Sequence, residues 1–265
     1  MRNPYFRITM LFLGFFVLVG LACLSSGGAD PTATSEITVM QEDPAPEPTP
    51  TKTETVFDFP DPTDTPEVDE PVGDTSDAPP AYFTEEFEGD LSGWTYFLMS
   101  GSDDGMELYT DKGRLVFDLH DSYQWVYVTY DEYYYPEVYI EMMAENRGMN
   151  TNDVSLICNY SDEGWYEFNI SNDGTYRILA YSELINDYQL IYNGGSTRIN
   201  TGKDVNYYAA TCKGNKLALY INGYLEREVT DSKHNFREGQ VGFGVSSWDI
   251  LPIRVEVDYF LIDLP

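Results

Sequence analysis

Two carboxylates, Glu141 and Glu167, fall on outward positions of strand-like segments, where a carboxyl group can move a proton or accept a hydroxyl. Around Glu167 the side chains suit one chemistry in particular. Trp125, Tyr127, Asn159, Trp165, Glu167 and Asn169 supply rings for the C–H faces of pyranoses and amides or carboxylates for their hydroxyls. The same rings are favoured cross-strand pairs in any sheet, so their type alone leaves a binding face and a packed face both open. Other chemistries fail. His120 and His234 lie at strand ends or loops, far from any Gly-x-Ser-x-Gly elbow, and read as surface residues. No paired Cys or His spacing suits zinc.

These residues sit in the last of three segments with different physics. The whole chain has 265 residues, 45 acids, 15 bases and a formal charge of −30. Without clustered Lys and Arg it is no duplex nucleic-acid binder, and with one long apolar run it is no multi-pass membrane protein. Segment 1–23 has two bases, no acid and 15 apolar residues from Ile8 to Ala22. That run is short for a membrane span, which needs roughly 17 to 25 residues, so the segment reads as an export signal. Ala22-Cys23 resembles a bacterial lipobox, with Gly20 where Leu is usual; that makes Cys23 the lipidation site and predicts a lipid anchor on the outer side of the cytoplasmic membrane. The alternative is an uncleaved signal anchor. Segment 24–80 holds 11 of the 15 Pro, 10 Thr, 14 acids and one base, and cannot bury enough apolar surface to order itself. It reads as a disordered stalk.

Segment 82–265 carries all four Trp and is long enough for one core. Period-two alternation broken by Gly, Asn and Asp predicts an all-β domain with strands at 83–87, 94–99, 106–109, 114–119, 123–130, 136–144, 153–160, 164–171, 174–181, 188–192, 206–212, 216–222, 225–229, 240–246 and 253–262. Alternation also assigns faces. Val126 and Val128 oppose Trp125 and Tyr127, while Tyr166, Phe168 and Ile170 oppose Trp165, Glu167 and Asn169. The first set of each pair faces the core, and the second is expected to face water. Export places thiols where disulfides persist. With Cys23 assigned to lipid, Cys158 and Cys212 remain; both face inward and are expected to pair, on neighbouring strands of one sheet. Two buried free thiols are the alternative.

The opening Phe87-Glu88-Gly89-Asp90-Leu91-Ser92-Gly93-Trp94, the central Trp165-Tyr166-Glu167-Phe168-Asn169-Ile170-Ser171-Asn172-Asp173-Gly174, then Leu219-Tyr220-Ile221-Asn222-Gly223, Gly239-Gln240-Val241-Gly242-Phe243-Gly244 and Val257-Asp258-Tyr259-Phe260 follow in an order that resembles the concanavalin A-like lectin/glucanase jelly roll. Within it the pattern is similar to laminin-G-like and 3-keto-disaccharide hydrolase domains. The resemblance implies a two-sheet antiparallel sandwich of roughly six or seven strands per sheet with adjacent ends. It also implies a structural calcium ion near the joined ends, for which Glu86, Glu88, Asp90 and Asp258 are the candidates. Family-16 glucanases of this fold carry Glu-x-Asp-x-(x)-Glu on one strand. This chain lacks that motif: Glu256-Val257-Asp258 is followed by no third acid, which leaves Glu141 and Glu167 as weak catalytic candidates. The expectation is a cell-surface lipoprotein whose stalk presents a non-catalytic, carbohydrate-binding domain. A glycan hydrolase of the same fold and an adhesive protein-binding module are the alternatives.

Overall fold

The computed structural model describes residues 79–89 and 91–265. The signal segment with Cys23, the stalk up to residue 78 and Asp90 lie outside the described residues. Alternating β-branched and aromatic residues suit a pleated, half-buried surface, and they form fifteen strands: β1 (Phe83–Glu85), β2 (Trp94–Ser100), β3 (Met106–Thr110), β4 (Leu115–Leu119), β5 (Trp125–Tyr135), β6 (Glu137–Asn146), β7 (Asn152–Ser161), β8 (Gly164–Ser171), β9 (Thr175–Ser182), β10 (Asp187–Gly195), β11 (Val205–Lys213), β12 (Lys216–Ile221), β13 (Tyr224–Thr230), β14 (Gly239–Ser247) and β15 (Ile253–Asp263). Asn222 and Gly223, both at positive φ (49° and 81°), make the two-residue turn between β12 and β13.

The strands build two antiparallel sheets, one of eight and one of seven strands, slightly larger than the resemblance implied. The eight-stranded sheet runs β13-β12-β11-β6-β15-β4-β3, with β1 also paired to β15, so the two ends of the domain are adjacent. The seven-stranded sheet runs β10-β9-β8-β7-β14-β5-β2. Between them lies one core, in which Val126, Val128, Tyr166, Phe168, Ile170, Leu217, Leu219, Ile221, Val241, Phe243 and Val245 all point inward as alternation requires.

Two features depart from the sequence reading. Cys158 and Cys212 are bonded, but they join β7 of one sheet to β11 of the other, with Cα atoms 6.6 Å apart. Sheets usually pack about 10 Å apart; here their backbones converge, so inward-facing thiols on opposite sheets can meet. Strand β5 also continues to Tyr135, well past the expected end at 130. The extension serves the domain boundary. The hydroxyls of Tyr130, Tyr133 and Tyr135 donate to the carbonyls of Pro80, Pro79 and Ala81, at 2.9, 2.7 and 2.6 Å, so the chain is already held against the domain at residue 79.

His234, expected on the surface, is buried with Asp231 in the connection from β13 to β14. Asp231 accepts hydrogen bonds from the Tyr166 hydroxyl at 2.7 Å and from the N–H groups of Lys233 and His234 at 2.9 and 3.0 Å. Burial alone would raise its pKa, yet those donors and the neighbouring His234 lower it from 3.8 to about 2. A depressed folded-state pKa contributes stability that is complete above the unfolded value and is lost as pH falls through the folded one. Asp231→Asn is therefore expected to lower the melting temperature at pH 6. Melting curves taken downward from pH 5 should show the gap to wild type closing between about pH 4 and 2; a constant gap would mean Asp231 is not the ionised anchor.

Candidate functional site

Alternation puts Trp125, Tyr127 and Thr129 of β5, Asp153, Ser155 and Ile157 of β7, Trp165, Glu167 and Asn169 of β8, and Arg177 and Tyr181 of β9 on the outer face of the seven-stranded sheet. Between β5 and β7 runs β14, whose outward positions are Gly242, Gly244 and Ser246. A strand with almost no side chains on one face leaves a trough. The Tyr127 ring lies in it, so close to Gly244 that an added Cβ would sit 2.6 Å from the ring. Gly244 is thus required by contact, whatever its backbone angles.

This face was expected to be wet, and it is not. Tyr127, Ile157, Trp165 and Tyr181 form a second buried cluster, against which the partly buried Phe97, Met99, Trp125, Tyr160 and Tyr188 pack. Trp165 is stacked on Tyr181 with ring centres 4.1 Å apart and is 1% exposed. It is a packing residue. Alternation identifies which side of a strand a residue takes, but an edge strand and neighbouring rings decide whether that side meets water.

At the centre of the cluster is Glu167, 1% exposed. Its two oxygens receive the Tyr127 hydroxyl at 3.0 Å, and Oε1 also receives the Ser155 hydroxyl at 2.7 Å. The Tyr188 hydroxyl reaches that of Tyr127 at 3.2 Å. Burial raises the Glu167 pKa, and the donors from Ser155 and Tyr127 only partly offset it. Because Ser155 gives its proton to Glu167, its oxygen accepts from Asn169 Nδ2 at 3.1 Å, and the Asn169 carbonyl is turned the other way.

Three buried polar atoms on this face have no protein partner: Trp125 Nε1, Asp153 Oδ1 and Asn169 Oδ1. Trp125 and Asp153 flank Ser246 in one register row, and Asn169 lies one strand beyond β7. Arg177 approaches the other oxygen of Asp153 at 3.6 Å, too far for a good hydrogen bond. Beside these atoms runs a line of accessible rings. Tyr188, Trp125, Trp248 and Tyr123 follow one another at 5.9, 6.3 and 6.0 Å, each ring turned 67–88° from the next.

The remaining expected site residues are elsewhere. Asn159 is buried at positive φ in a bulge of β7, and its amide donates to the Phe236 carbonyl at 3.3 Å, so it anchors a loop. Glu141 is on β6, on the outer face of the opposite sheet, where the hydroxyls of Tyr139 and Tyr259 each donate to it at 2.5 Å. Glu141 and Glu167 therefore cannot face one glycosidic bond, which needs carboxyl groups about 5 to 10 Å apart. Among the described residues Glu86, Glu88 and Asp258 do not gather into one ligand set. Asp258 is paired to Arg114 at 2.9 Å, and Arg114 also binds Glu145 and Glu256.

Asp153, Ser155, Arg177, Tyr188 and Trp248 escaped the sequence reading. The first three alternate with core residues and carried a usable signal, but such residues are normally solvated. Tyr188 and Trp248 carried none, since only the pairing of edge strand β10 and the loop after β14 bring them to the face.

No protein-family model matches the sequence, and no curated protein matches it. Solved structures do match in shape. A protein of unknown function with a galectin-like fold from Bacillus subtilis aligns with TM-score 0.53 and 10% identity over 69% of this chain and 94% of its own. A GH16 protein of the Bacteroides ovatus mixed linkage glucan PUL, in complex with a G4G4G3G product, aligns with TM-score 0.51 and 10% identity over 68% and 99%. A beta-1,3-glucanase from Mycobacterium marinum aligns with TM-score 0.50 and 10% identity over 70% and 99%. The domain has the two-sheet antiparallel jelly-roll fold that these structures share.

Burial separates the two tryptophans. Trp165→Ala should cost about 3–5 kcal/mol, the range for emptying an aromatic site, whereas Trp125→Ala, which removes a half-buried ring at the edge of the same cluster, should cost less, about 1–2 kcal/mol. Denaturant titration of the two variants checks this, and equal losses would contradict the placement. Glu167 adds a pH signature. Its raised pKa contributes stability that is complete below the ordinary carboxyl range and lost as pH rises through the raised value. Glu167→Gln should remove that decline, so the variant's melting temperature should gain on wild type as pH rises above the ordinary carboxyl range.

Proposed function

We propose that this chain is an exported, lipid-anchored surface protein whose jelly roll binds carbohydrate on the outer face of its seven-stranded sheet without cleaving it. The observation that carries the reading is the meeting of two things on that face: exposed or half-buried rings at Tyr188, Trp125, Trp248 and Tyr123, and three buried polar atoms with no partner. Rings cover the C–H faces of sugars, and unpartnered donors and acceptors are costly unless a ligand or water supplies what they lack. Adjacent ring planes cross steeply, which favours a single chain over a flat crystalline surface. The kinship in shape with carbohydrate-active neighbours agrees with this assignment without deciding it.

On β8, the strand that carries Glu167, the outward positions are Trp165, Glu167, Asn169 and Ser171, which is a single carboxyl. One carboxyl cannot supply both an acid and a nucleophile or base. The location rests on the short apolar run, Ala22-Cys23 and the Pro/Thr-rich stalk, and it agrees with the disulfide, which persists outside the reducing cytosol.

A glycan array read alongside a reducing-sugar assay tests the activity. Binding without release of reducing ends is expected, and Trp125→Ala or Trp248→Ala should weaken binding about tenfold or more while a cooperative melting transition shows that the domain still folds. Release of reducing ends that disappears in Glu167→Gln would favour the hydrolase instead. Acyl labelling tests the anchor: label should be lost in Cys23→Ala, and label retained there would refute lipidation at that residue.

A further inference from the structure

The hydrogen-bonding character of the three unpartnered atoms narrows the ligand, on the premise that the outer face binds carbohydrate. Asp153 Oδ1 is a carboxylate oxygen and can only accept. Asn169 Oδ1 is a carbonyl and can only accept; its orientation follows from the relay in which Ser155 donates to Glu167 and receives Asn169 Nδ2. Trp125 Nε1 can only donate. The face therefore demands two donors and one acceptor from whatever fills it. Ser246, the small residue between Trp125 and Asp153, is itself buried in that row. A sugar hydroxyl is both donor and acceptor, so neighbouring hydroxyls can meet the whole set.

We propose that this site selects neutral glycan chains with free hydroxyls, and that Asp153 is the residue that rejects uronate, sulfated and sialylated ones. An ionised carboxylate or sulfate brings acceptors alone. Where it takes the place of a hydroxyl beside Asp153 it removes a donor and sets a negative charge against a carboxylate that is 2% exposed, where water screens little. Arg177 does not reverse the preference, because it leans on Asp153 and shares its charge with that group. Long-range repulsion from the acidic surface would act in the same direction, but salt separates the two effects. At about 1 M ionic strength the screening length is about 3 Å, which removes the surface contribution and spares a buried contact.

The test uses the full-length protein and a paired panel: neutral gluco-, xylo- and manno-oligosaccharides against oligomers of galacturonate and mannuronate and sulfated oligosaccharides, titrated at about 0.15 and 1 M salt. Neutral members should bind about tenfold or more tightly at both salt levels. In Asp153→Asn, which keeps the shape and removes the charge, the preference should shrink to about threefold or less at high salt, with folding checked by the melting temperature. If that variant does not fold, Asn169→Asp serves in its place; adding a second carboxylate should widen the gap. Equal or tighter binding of anionic glycans by the wild type overturns the inference while leaving carbohydrate binding intact. So does a preference that vanishes in 1 M salt. Failure of every glycan to bind overturns the carbohydrate reading itself, and the inference with it.

Discussion

The outer face of the seven-stranded sheet depends on Glu167 being satisfied where water does not reach. A buried carboxyl without partners is costly, and Tyr127, Ser155 and Trp165 all turn toward this one. Each of those commitments fixes something else. Tyr127 lies across Gly244 to bring its hydroxyl to the carboxyl, and its ring then fills the trough over β14. Ser155, having spent its proton, fixes the Asn169 amide, and so the direction in which the outermost carbonyl points. An apolar residue at 167 could pack as well, but it would leave Tyr127, Ser155 and Asn169 free to choose other partners. The carboxyl contributes order to the face more than stability.

Glu167 and Asp231, two of the three buried carboxyls among the described residues, show opposite electrostatic solutions. Glu167 receives donors from side chains inside an aromatic cluster, and desolvation dominates, so its pKa rises. Asp231 receives successive backbone N–H groups and a phenol, and with His234 alongside, the ionised form is favoured despite burial. Backbone amides arrayed around one oxygen form an anion-binding concavity. One group orders the outer face of a sheet, while the other ties down the connection from β13 to β14.

Topology sets where this precision is available. Strands β14 and β15 arrive last in sequence yet lie inside their sheets, β14 between β7 and β5 and β15 between β6 and β4. The floor of the site is therefore assembled from segments more than a hundred residues apart, and the trough exists only once β14 is inserted. A disulfide between β7 and β11 ties the sheets together beneath the strand that carries Asp153 and Ser155. Edge strand β10 then contributes Tyr188, whose ring packs against both Trp165 and the half-buried Trp125.

The sequence by itself determined the strands, their faces and the partner of each globular cysteine. These are local or countable properties: a strand's side chains alternate with a period of two, and two remaining thiols admit one pair. Val126 against Tyr127 and Phe168 against Glu167 were legible for that reason. What covers a face is not local. Trp165 and Trp125 occupy equivalent outward positions, and only the packing of Tyr181, Tyr160 and Tyr188 buries the first while leaving the second within reach of solvent. Sheet membership is not local either, so Glu141 and Glu167 looked alike in sequence and stand on opposite sides of the molecule. The Cys158–Cys212 bridge crosses between sheets because the distance between two layers is set by everything packed between them. Period two carries one bit per residue, inward or outward; exposure, pairing across layers and the placing of Trp125 and Asp153 on either side of Ser246 are decided by long-range contacts that no short window of sequence encodes.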